Sequence, residues 1–388
     1  MPPIRVTQLT GDAHAMGVQH GRAHAQQIAE LTEDRLRLCR DGFWVGDGNA
    51  DVDVFAVADR CWDAQRRYDE PTTAEIEGLA SATNIPPRDL LSTSGFTDFV
   101  DAVRAAASAD AAPSPADAGG CTAVLAHPAA TADGRPYLAQ TWDMHASATD
   151  FVVMLDARSA DAATPRAMVF TVTGCVGMIG MNDAGLSVGI NNLASFDGTP
   201  GVMWTTVVRR MLRETTADAA LAVLKAAPLA GAHHYLLLDA AGIGYAVEAS
   251  PKHRVVRPLE HTLAHTNHCL HPETAAHEAK RDGVPSQSSR LRLDRAHAWL
   301  DDHAGRIDRA ALWSLLRQRD PDPDVPGICH SPLHGYAVDT AGAVVMSPTD
   351  RRLDAVWGNP DRTEEQSFDL STQSNTDATP APAAASPS

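Results

Sequence analysis

No uninterrupted apolar run in the 388 residues approaches the roughly 18 needed to cross a bilayer, so the chain is not a transmembrane protein. It also lacks a basic excess. Lysine and arginine number 32 against 49 aspartates and glutamates, a net charge of -17 with histidines neutral, and no basic stripe is present to meet a phosphate backbone. Nucleic acid and membrane are therefore not expected as partners. The opening residues, Met1-Pro2-Pro3-Ile4-Arg5-Val6-Thr7, carry no basic segment followed by an apolar one, so no secretion signal is read and a cytoplasmic protein is expected. Six cysteines occur, Cys39, Cys61, Cys121, Cys175, Cys269 and Cys329, with no C-x-x-C pair among them, which excludes compact zinc-bound and disulfide-stapled scaffolds. Each is by default a small buried hydrophobe, and a chemical role needs support from its neighbours.

What is present supports a large core, since 44% of the residues are hydrophobic and 21% charged. The first hundred residues read as mostly helical, with Ala25, Ile28, Leu31 and Leu38 near one face of a helix after Gly21 and a second helix after Pro71-Thr72-Thr73. Residues 105 to 120, AAASADAAPSPADAGG, are too small and proline-rich to pack a core and read as an exposed linker. Beyond Cys121 the pattern becomes strand, turn, strand, with turn signals at Asp133-Gly134, Asp183-Ala184-Gly185, Asp239 to Gly242 and Thr340-Ala341-Gly342. The runs beside them (Phe151 to Leu155, Met168 to Val172, Tyr235 to Leu238, Tyr245 to Val247) suit strands covered on both faces. Helical stretches over Thr205 to Ala226 and Ser288 to Arg317 complete an α+β sandwich, two antiparallel sheets face to face with helices outside. After Leu370 the chain, STQSNTDATPAPAAASPS, reads as a disordered tail over 371–388.

Two patterns suggest chemistry that their context does not support. Gly185-Leu186-Ser187-Val188-Gly189 spells a nucleophile elbow, but that motif needs a helix after the serine, and Ile190-Asn191-Asn192-Leu193 continues a strand. His261, His265, His268 and His271 lie close together without a carboxylate among them, and the segment reads as strand and turn, so hydrogen-bonded histidines are expected and no metal site.

The Gly120-Cys121 junction is placed differently. A cysteine at the start of a strand, after two glycines that end a long exposed loop, is placed to attack the Gly120 carbonyl, and hydrolysis of the resulting thioester would free its α-amine. That terminus then carries both nucleophile and base, because an α-amine has a reference pKa of roughly 7.7 to 8.0.

At these residues the sequence resembles the autoproteolytic acyltransferase and hydrolase family typified by isopenicillin N acyltransferase, peptidase family C45 in the N-terminal nucleophile superfamily. The resemblance runs from about residue 9 to 368 and rests on Gly11-Asp12-Ala13-His14-Ala15-Met16-Gly17, His20-Gly21, Gly119-Gly120-Cys121-Thr122, Trp142-Asp143 and Gly180 to Leu186. It continues through Val247-Glu248-Ala249-Ser250-Pro251, Thr266-Asn267-His268, Ser289-Arg290 and Cys329-His330. It implies a four-layer αββα fold over a single domain, residues 1–365, cut between Gly120 and Cys121 into an α segment 1–120 and a β segment whose core is 121–365. It implies Cys121 as nucleophile, Asp143 as the nearby carboxylate and Asn267 as the oxyanion-stabilising amide. Thr122, Glu248, Ser289 and Arg290 are implied as substrate-binding or supporting residues. One departure is Thr141, where the family usually has asparagine before Trp142-Asp143.

The reading that follows is an N-terminal-cysteine amidohydrolase acting on a small-molecule amide through an acyl-enzyme thioester, with no cofactor. Acyl transfer from an acyl-CoA or amide donor to a small amine is the alternative, and a non-catalytic binding protein on the same fold is a third. The two fragments are expected to stay associated, since they share apolar faces.

Overall fold

The computed structural model describes residues 3–40, 52–107, 120–279, 283–322, 324–333 and 338–371. The N-terminal part contributes strand β1 (Val6–Gly11) and helices α1 (Ala13–Arg40), α2 (Val54–Tyr68), α3 (Glu70–Thr83), α4 (Pro87–Ser94) and α5 (Phe96–Ala107). Strands β2 (Ala123–Ala126), β3 (Tyr137–His145), β4 (Val152–Ser159), β5 (Ala167–Val172), β6 (Ile179–Asn182) and β7 (Ser187–Asn192) precede helices α6 (Trp204–Met211) and α7 (Ala217–Ala226). Then come β8 (His233–Leu238), β9 (Gly244–Ala249), β10 (Arg254–Pro258), β11 (Thr262–His265), α8 (Pro272–Ala275), α9 (Val284–Asp302), α10 (Arg309–Leu316), β12 (Val338–Ser347), β13 (Arg352–Trp357) and β14 (Gln366–Asp369).

Among the described residues these strands form an eight-stranded sheet, β1-β4-β5-β6-β7-β8-β9-β10, and a six-stranded sheet, β11-β2-β3-β12-β13-β14. The smaller sheet explains the layering through its two-residue period. Ala123 and Leu125 of β2, Val344 and Met346 of β12, and Leu353 and Ala355 of β13 face the core shared with the larger sheet. Their neighbours Val124, Ala126, Ala343, Val345 and Val356 face Leu293, Trp299, Leu312 and Trp313 of α9 and α10. With both faces apolar, neither can be left to water, and each buried large side chain contributes roughly 1.5 to 3 kcal/mol. On the far side, α1 to α5 pack a third core around Ile28, Leu79, Leu91 and Phe99, which gives the αββα order.

The N-terminal glycine motif serves helix packing. Asp12 caps α1 by accepting from the Ala15 N–H at 2.8 Å. A Cβ on Gly17 would lie 1.9 Å from the Glu75 carbonyl oxygen, and one on Gly78 would lie 2.2 Å from that of His14, so α1 and α3 touch backbone to backbone. His20 is buried and its Nε2 accepts from the Gly174 N–H at 3.0 Å; burial lowers its pKa to about 3 and keeps it neutral.

Several local expectations need correction. The first hundred residues include β1, which pairs parallel with β4 at the sheet edge. Helix α1 begins at Ala13, well before Gly21. Each long C-terminal helix is two: Thr216 starts α7 by accepting from the Ala219 N–H, while Gly305 at φ +71° turns the chain and Asp308 caps α10. Thr340-Ala341-Gly342 is a bulge inside β12, not a turn, because Gly342 lies under the Phe170 ring and the strand continues past it. Residues 105–107 finish α5 rather than open a linker; 108–119 of that linker and 372–388 of the tail lie outside the described residues.

Candidate active site

Cys121 lies just before β2, 3% exposed, on the face of the smaller sheet that meets the larger. Its neighbours are paired to β3. Gly120 and Asp143 exchange both backbone hydrogen bonds, Gly120 N–H to Asp143 O at 2.8 Å and Asp143 N–H to Gly120 O at 2.7 Å, and the Thr141 N–H donates to Thr122 O at 2.9 Å. Cys121 itself falls between these pairs, so its own N–H and C=O are met by side chains. The N–H donates to Asn267 Oδ1 at 2.8 Å, and the carbonyl accepts from Arg292 Nη1 at 2.6 Å.

Arg292 holds the site together. It is 1% exposed, and its guanidinium donates to Ser288 Oγ, Thr122 Oγ1, the Cys121 carbonyl and Asn267 Oδ1 at 2.6 to 3.1 Å, so its planar fork is spent on neutral acceptors. The residue opposing its charge is Asp143, which is fully buried. Asp143 Oδ1 accepts from Thr340 Oγ1 at 2.7 Å, a contact made by the β12 bulge, while Oδ2 has no hydrogen-bond partner among the described residues. Burial raises the Asp143 pKa to about 6, and Arg292 and Thr340 oppose that rise. Burial first, and then the Asp143 charge, push the Cys121 thiol up to about 12, against the backbone N–H groups of Asp143 and Asn192.

Asn267 stands on the turn after β11. Its Nδ2 donates to the Asn192 carbonyl at 3.0 Å, and its N–H donates to Ser289 Oγ at 2.9 Å. Ser289 also meets His268 Nδ1 at 2.8 Å, so α9 pins the turn that carries Asn267. Glu248, at the end of β9, grips the same turn from below, accepting from His265 Nε2 at 2.9 Å, the Leu270 N–H at 2.7 Å and the Thr274 hydroxyl. Those bonds, chiefly the one from His265, outweigh burial and hold the Glu248 pKa below its ordinary value. Thr141 receives the Thr122 N–H on its hydroxyl at 3.1 Å, so the residue at the departing position still serves the strand beside Cys121.

Cys121, Thr122, Asp143 and Asn267 thus meet around Arg292, while Glu248 and Ser289 act on the Asn267 turn. Arg290 is not among them: it is exposed on α9, and Arg292, two positions on, takes the inward place. Sequence reading also passed over Asn192, Ser288 and Thr340. A signal existed for Ser288, as for Arg292, because Ser288, Arg292, Ala296 and Leu300 recur every four residues on the buried face of α9. Among the described residues, no group of three or more histidines, cysteines or carboxylates is placed to hold a metal. Ser187 begins β7 with no helix behind it.

A pocket opens onto Cys121, Asp143 and Asn192 between the two sheets and the helical layer. A deeply buried thiol, a carboxylate with a raised pKa and a side-chain amide at the cysteine's own N–H form an arrangement suited to acyl transfer through sulfur. The family model for acyl-coenzyme A:6-aminopenicillanic acid acyl-transferase matches residues 130–362, well over half of the chain, beginning just past Cys121. No curated protein sequence matches. Solved structures with some likeness include penicillin V acylase from Agrobacterium tumefaciens, 14% identical over 64% of this chain and 86% of that one at a TM-score of 0.40. Two variants of the conjugated bile acid hydrolase from Clostridium perfringens are 11% and 12% identical over 64% of this chain and 96% and 97% of theirs, both at a TM-score of 0.40.

Proposed function

The chain belongs to the acyl-coenzyme A:6-aminopenicillanic acid acyl-transferase family, a family of acyl transfer and amide hydrolysis, and from that premise we propose that it is activated by cleaving itself between Gly120 and Cys121 and then hydrolyses a small-molecule amide. The observation that carries the reading is the treatment of the Gly120-Cys121 peptide: its carbonyl oxygen accepts from the Asp143 N–H at 2.7 Å and its N–H donates to Asn267 at 2.8 Å. A scissile carbonyl with a fixed donor is polarised where charge develops on attack. Sγ bonds to the Gly120 carbonyl carbon, the C–N bond breaks and the departing nitrogen gains the thiol proton. Water then cleaves the thioester, leaving the Gly120 carboxylate and a free Cys121.

The released α-amine keeps Asn267 Oδ1 as its acceptor and sits on the same residue as its own thiol, two carbons away. An α-amine with a reference pKa of roughly 7.7 to 8.0 is free to take up the thiol proton as sulfur attacks near neutral pH. The thiolate attacks the substrate carbonyl, the oxyanion is met by Asn267 Nδ2 and the Asn192 N–H, and the amine leaves with the proton. Water ends the cycle. In the second reading, which the acyl-transferase description of the family favours, an amine takes the place of water at the thioester. Intact mass of the purified protein tests both at once. Fragments ending at Gly120 and beginning at Cys121 are expected, and active protein with only the uncut mass would end the proposal.

A further inference from the structure

Asn191 on β7, His234 on β8 and Glu248 on β9 stand directly opposite one another on adjacent strands of the larger sheet. Residues in register across a sheet share a face, and this row receives one residue of the smaller sheet, His265 at the end of β11. The His265 ring stacks on that of His234 with centres 3.6 Å apart and planes 8° from parallel. Its Nε2 lies 2.9 Å from Glu248 Oε1, and its carbonyl accepts from Asn191 Nδ2 at 3.4 Å. None of the four residues is more than 4% exposed. A buried polar group keeps its hydrogen bonds in only one arrangement, so this contact ties the two sheets together in a way that apolar packing does not.

The partners fix the protons. Both ring nitrogens of His265 face oxygens that only accept, Glu248 Oε1 and, 2.9 Å from Nδ1, the Thr266 carbonyl. Burial raises the Glu248 pKa, but its hydrogen bonds lower it further, so that partner is an ionised carboxylate and His265 an imidazolium. On His234, Nδ1 donates to Asn191 Oδ1 at 2.9 Å and Nε2 has no hydrogen-bond partner among the described residues, so that ring holds one proton. Burial, and then the charge of His265, hold the His234 pKa well below its ordinary value. A cation lying on the face of a neutral ring is attracted to it. The two groups to which the reaction above gives the oxyanion sit on either side of this contact, the Asn192 N–H one residue after Asn191 and Asn267 Nδ2 two residues after His265. We propose that His234 and His265 are positioning residues, an imidazolium stacked on a neutral ring that sets the separation of Asn192 and Asn267 across the two sheets. This rests on the amidohydrolase reading and adds what holds its oxyanion site.

The test sets two reactions of Cys121 against each other in the purified protein. Acylation by p-nitrophenyl hexanoate passes through an oxyanion and is read as the p-nitrophenol burst. Alkylation by iodoacetamide displaces iodide, forms no oxyanion and is read by peptide mass. His234→Ala should slow the burst at saturating ester by about tenfold to a hundredfold, as for a reacting group displaced by about 1 Å. The half-saturating ester concentration and the alkylation rate should stay within about twofold of wild type, since neither depends on the oxyanion. His234→Phe, which keeps a ring under the imidazolium, should recover most of the loss, and His265→Gln should not. A wild-type burst in His234→Ala, or acylation and alkylation falling together, overturns the proposal. Should His234→Ala not fold, His234→Leu, which fills the space without a ring, takes its place. Nitrogen-15 spectra of the histidine rings supply a second measurement, in which a singly protonated His265 overturns the proposal whatever the variants do. If wild type gives no burst although iodoacetamide labels Cys121, the amidohydrolase reading fails and these spectra decide the pair alone. A doubly protonated His265, with an Asn267 side-chain amide signal that moves in His234→Leu, supports it, and an unmoved amide overturns it.

Discussion

Arg292 Nη1 donates to the carbonyl oxygen of Cys121 at 2.6 Å, so the buried cation of the site rests on the cysteine's own backbone instead of on a carboxylate. Through Nη2 it also meets Asn267 Oδ1, the atom that accepts from the Cys121 N–H. Both ends of the cysteine's backbone are thereby fixed relative to one side chain of α9, and strand β2 begins from a point that cannot drift.

The first expectation concerns that fork. Arg292→Lys keeps the charge but cannot reach four acceptors in one plane, leaving buried groups unsatisfied at about 1 to 3 kcal/mol each. The variant should unfold at lower temperature and self-cleave at least about tenfold more slowly, as read from the decay of the uncut band. Wild-type cleavage would show that Arg292 does not position the junction.

A second concerns Gly120. An added Cβ would lie 3.0 Å from Asp143 Oδ2 and 3.3 Å from Arg292 Nη2, so Gly120→Ala must shift one of them, a strain of about 1 to 3 kcal/mol. Maturation should slow by about tenfold to a hundredfold, while the molecules that do cut turn over at the wild-type rate, because residue 120 has then left the nucleophile. Slow turnover per cut molecule would mean that Gly120 serves the mature site as well.

Asn267→Ala should slow acylation by about two to three orders of magnitude, the loss expected of one oxyanion donor, with kcat and kcat/KM falling together. The amide also bridges Cys121 and Asn192, so a modest fall in stability is expected too. Wild-type turnover in single-turnover kinetics would remove Asn267 from the reaction.

Cys121 could be singled out from its local context, a cysteine after paired glycines that end a loop, whereas Asn267 is singled out only through the family resemblance. The apolar alternation of β2, β12 and β13 likewise carries the sheets. The parts that could not be read depend on distant pairing. Thr340 reaches Asp143 only because β12 bulges beside β3, across 197 residues of sequence, and nothing near Thr340 signals this. Arg292 lost to Arg290 because a short serine-arginine match outweighed the four-residue period of α9, which places Arg292 inward.

Asp143 makes stability depend on pH with a definite sign. Its folded pKa, about 6, is above the ordinary 3.8, so folding favours the protonated carboxyl; that stability is complete below about pH 3.8 and is lost as pH rises through 6. Two units correspond to about 3 kcal/mol. Asp143→Asn imitates the protonated form, so it should unfold in urea at about the wild-type midpoint at pH 4 and be more stable by that order at pH 7, while failing to mature normally. A variant less stable than wild type at pH 7 would mean that the carboxylate's attraction to Arg292 outweighs its burial.

The last expectation separates an α-amine base from an ordinary cysteine enzyme, in which one of the seventeen histidines would serve and the uncut chain would be competent. Cys121→Ala should abolish both self-cleavage and catalysis, because one thiol performs both. Cys121→Ser distinguishes the steps, since a hydroxyl can still drive the acyl shift slowly but is a poorer nucleophile near neutral pH; partial cleavage with little turnover is expected. Geometry sharpens the contrast. His268 and His265 are the histidines nearest Asn267 in sequence, and both are engaged elsewhere, His268 with Ser289 and His265 with Glu248, so neither is poised to take the thiol proton. The Cys121 peptide nitrogen, by comparison, which the proposed cut would turn into that α-amine, donates to Asn267 Oδ1 in the uncut chain. The decisive measurement is amide hydrolysis by a precursor locked uncut by a residue inserted before Cys121. No turnover is expected from it, and substantial turnover would mean that the α-amine is not the base.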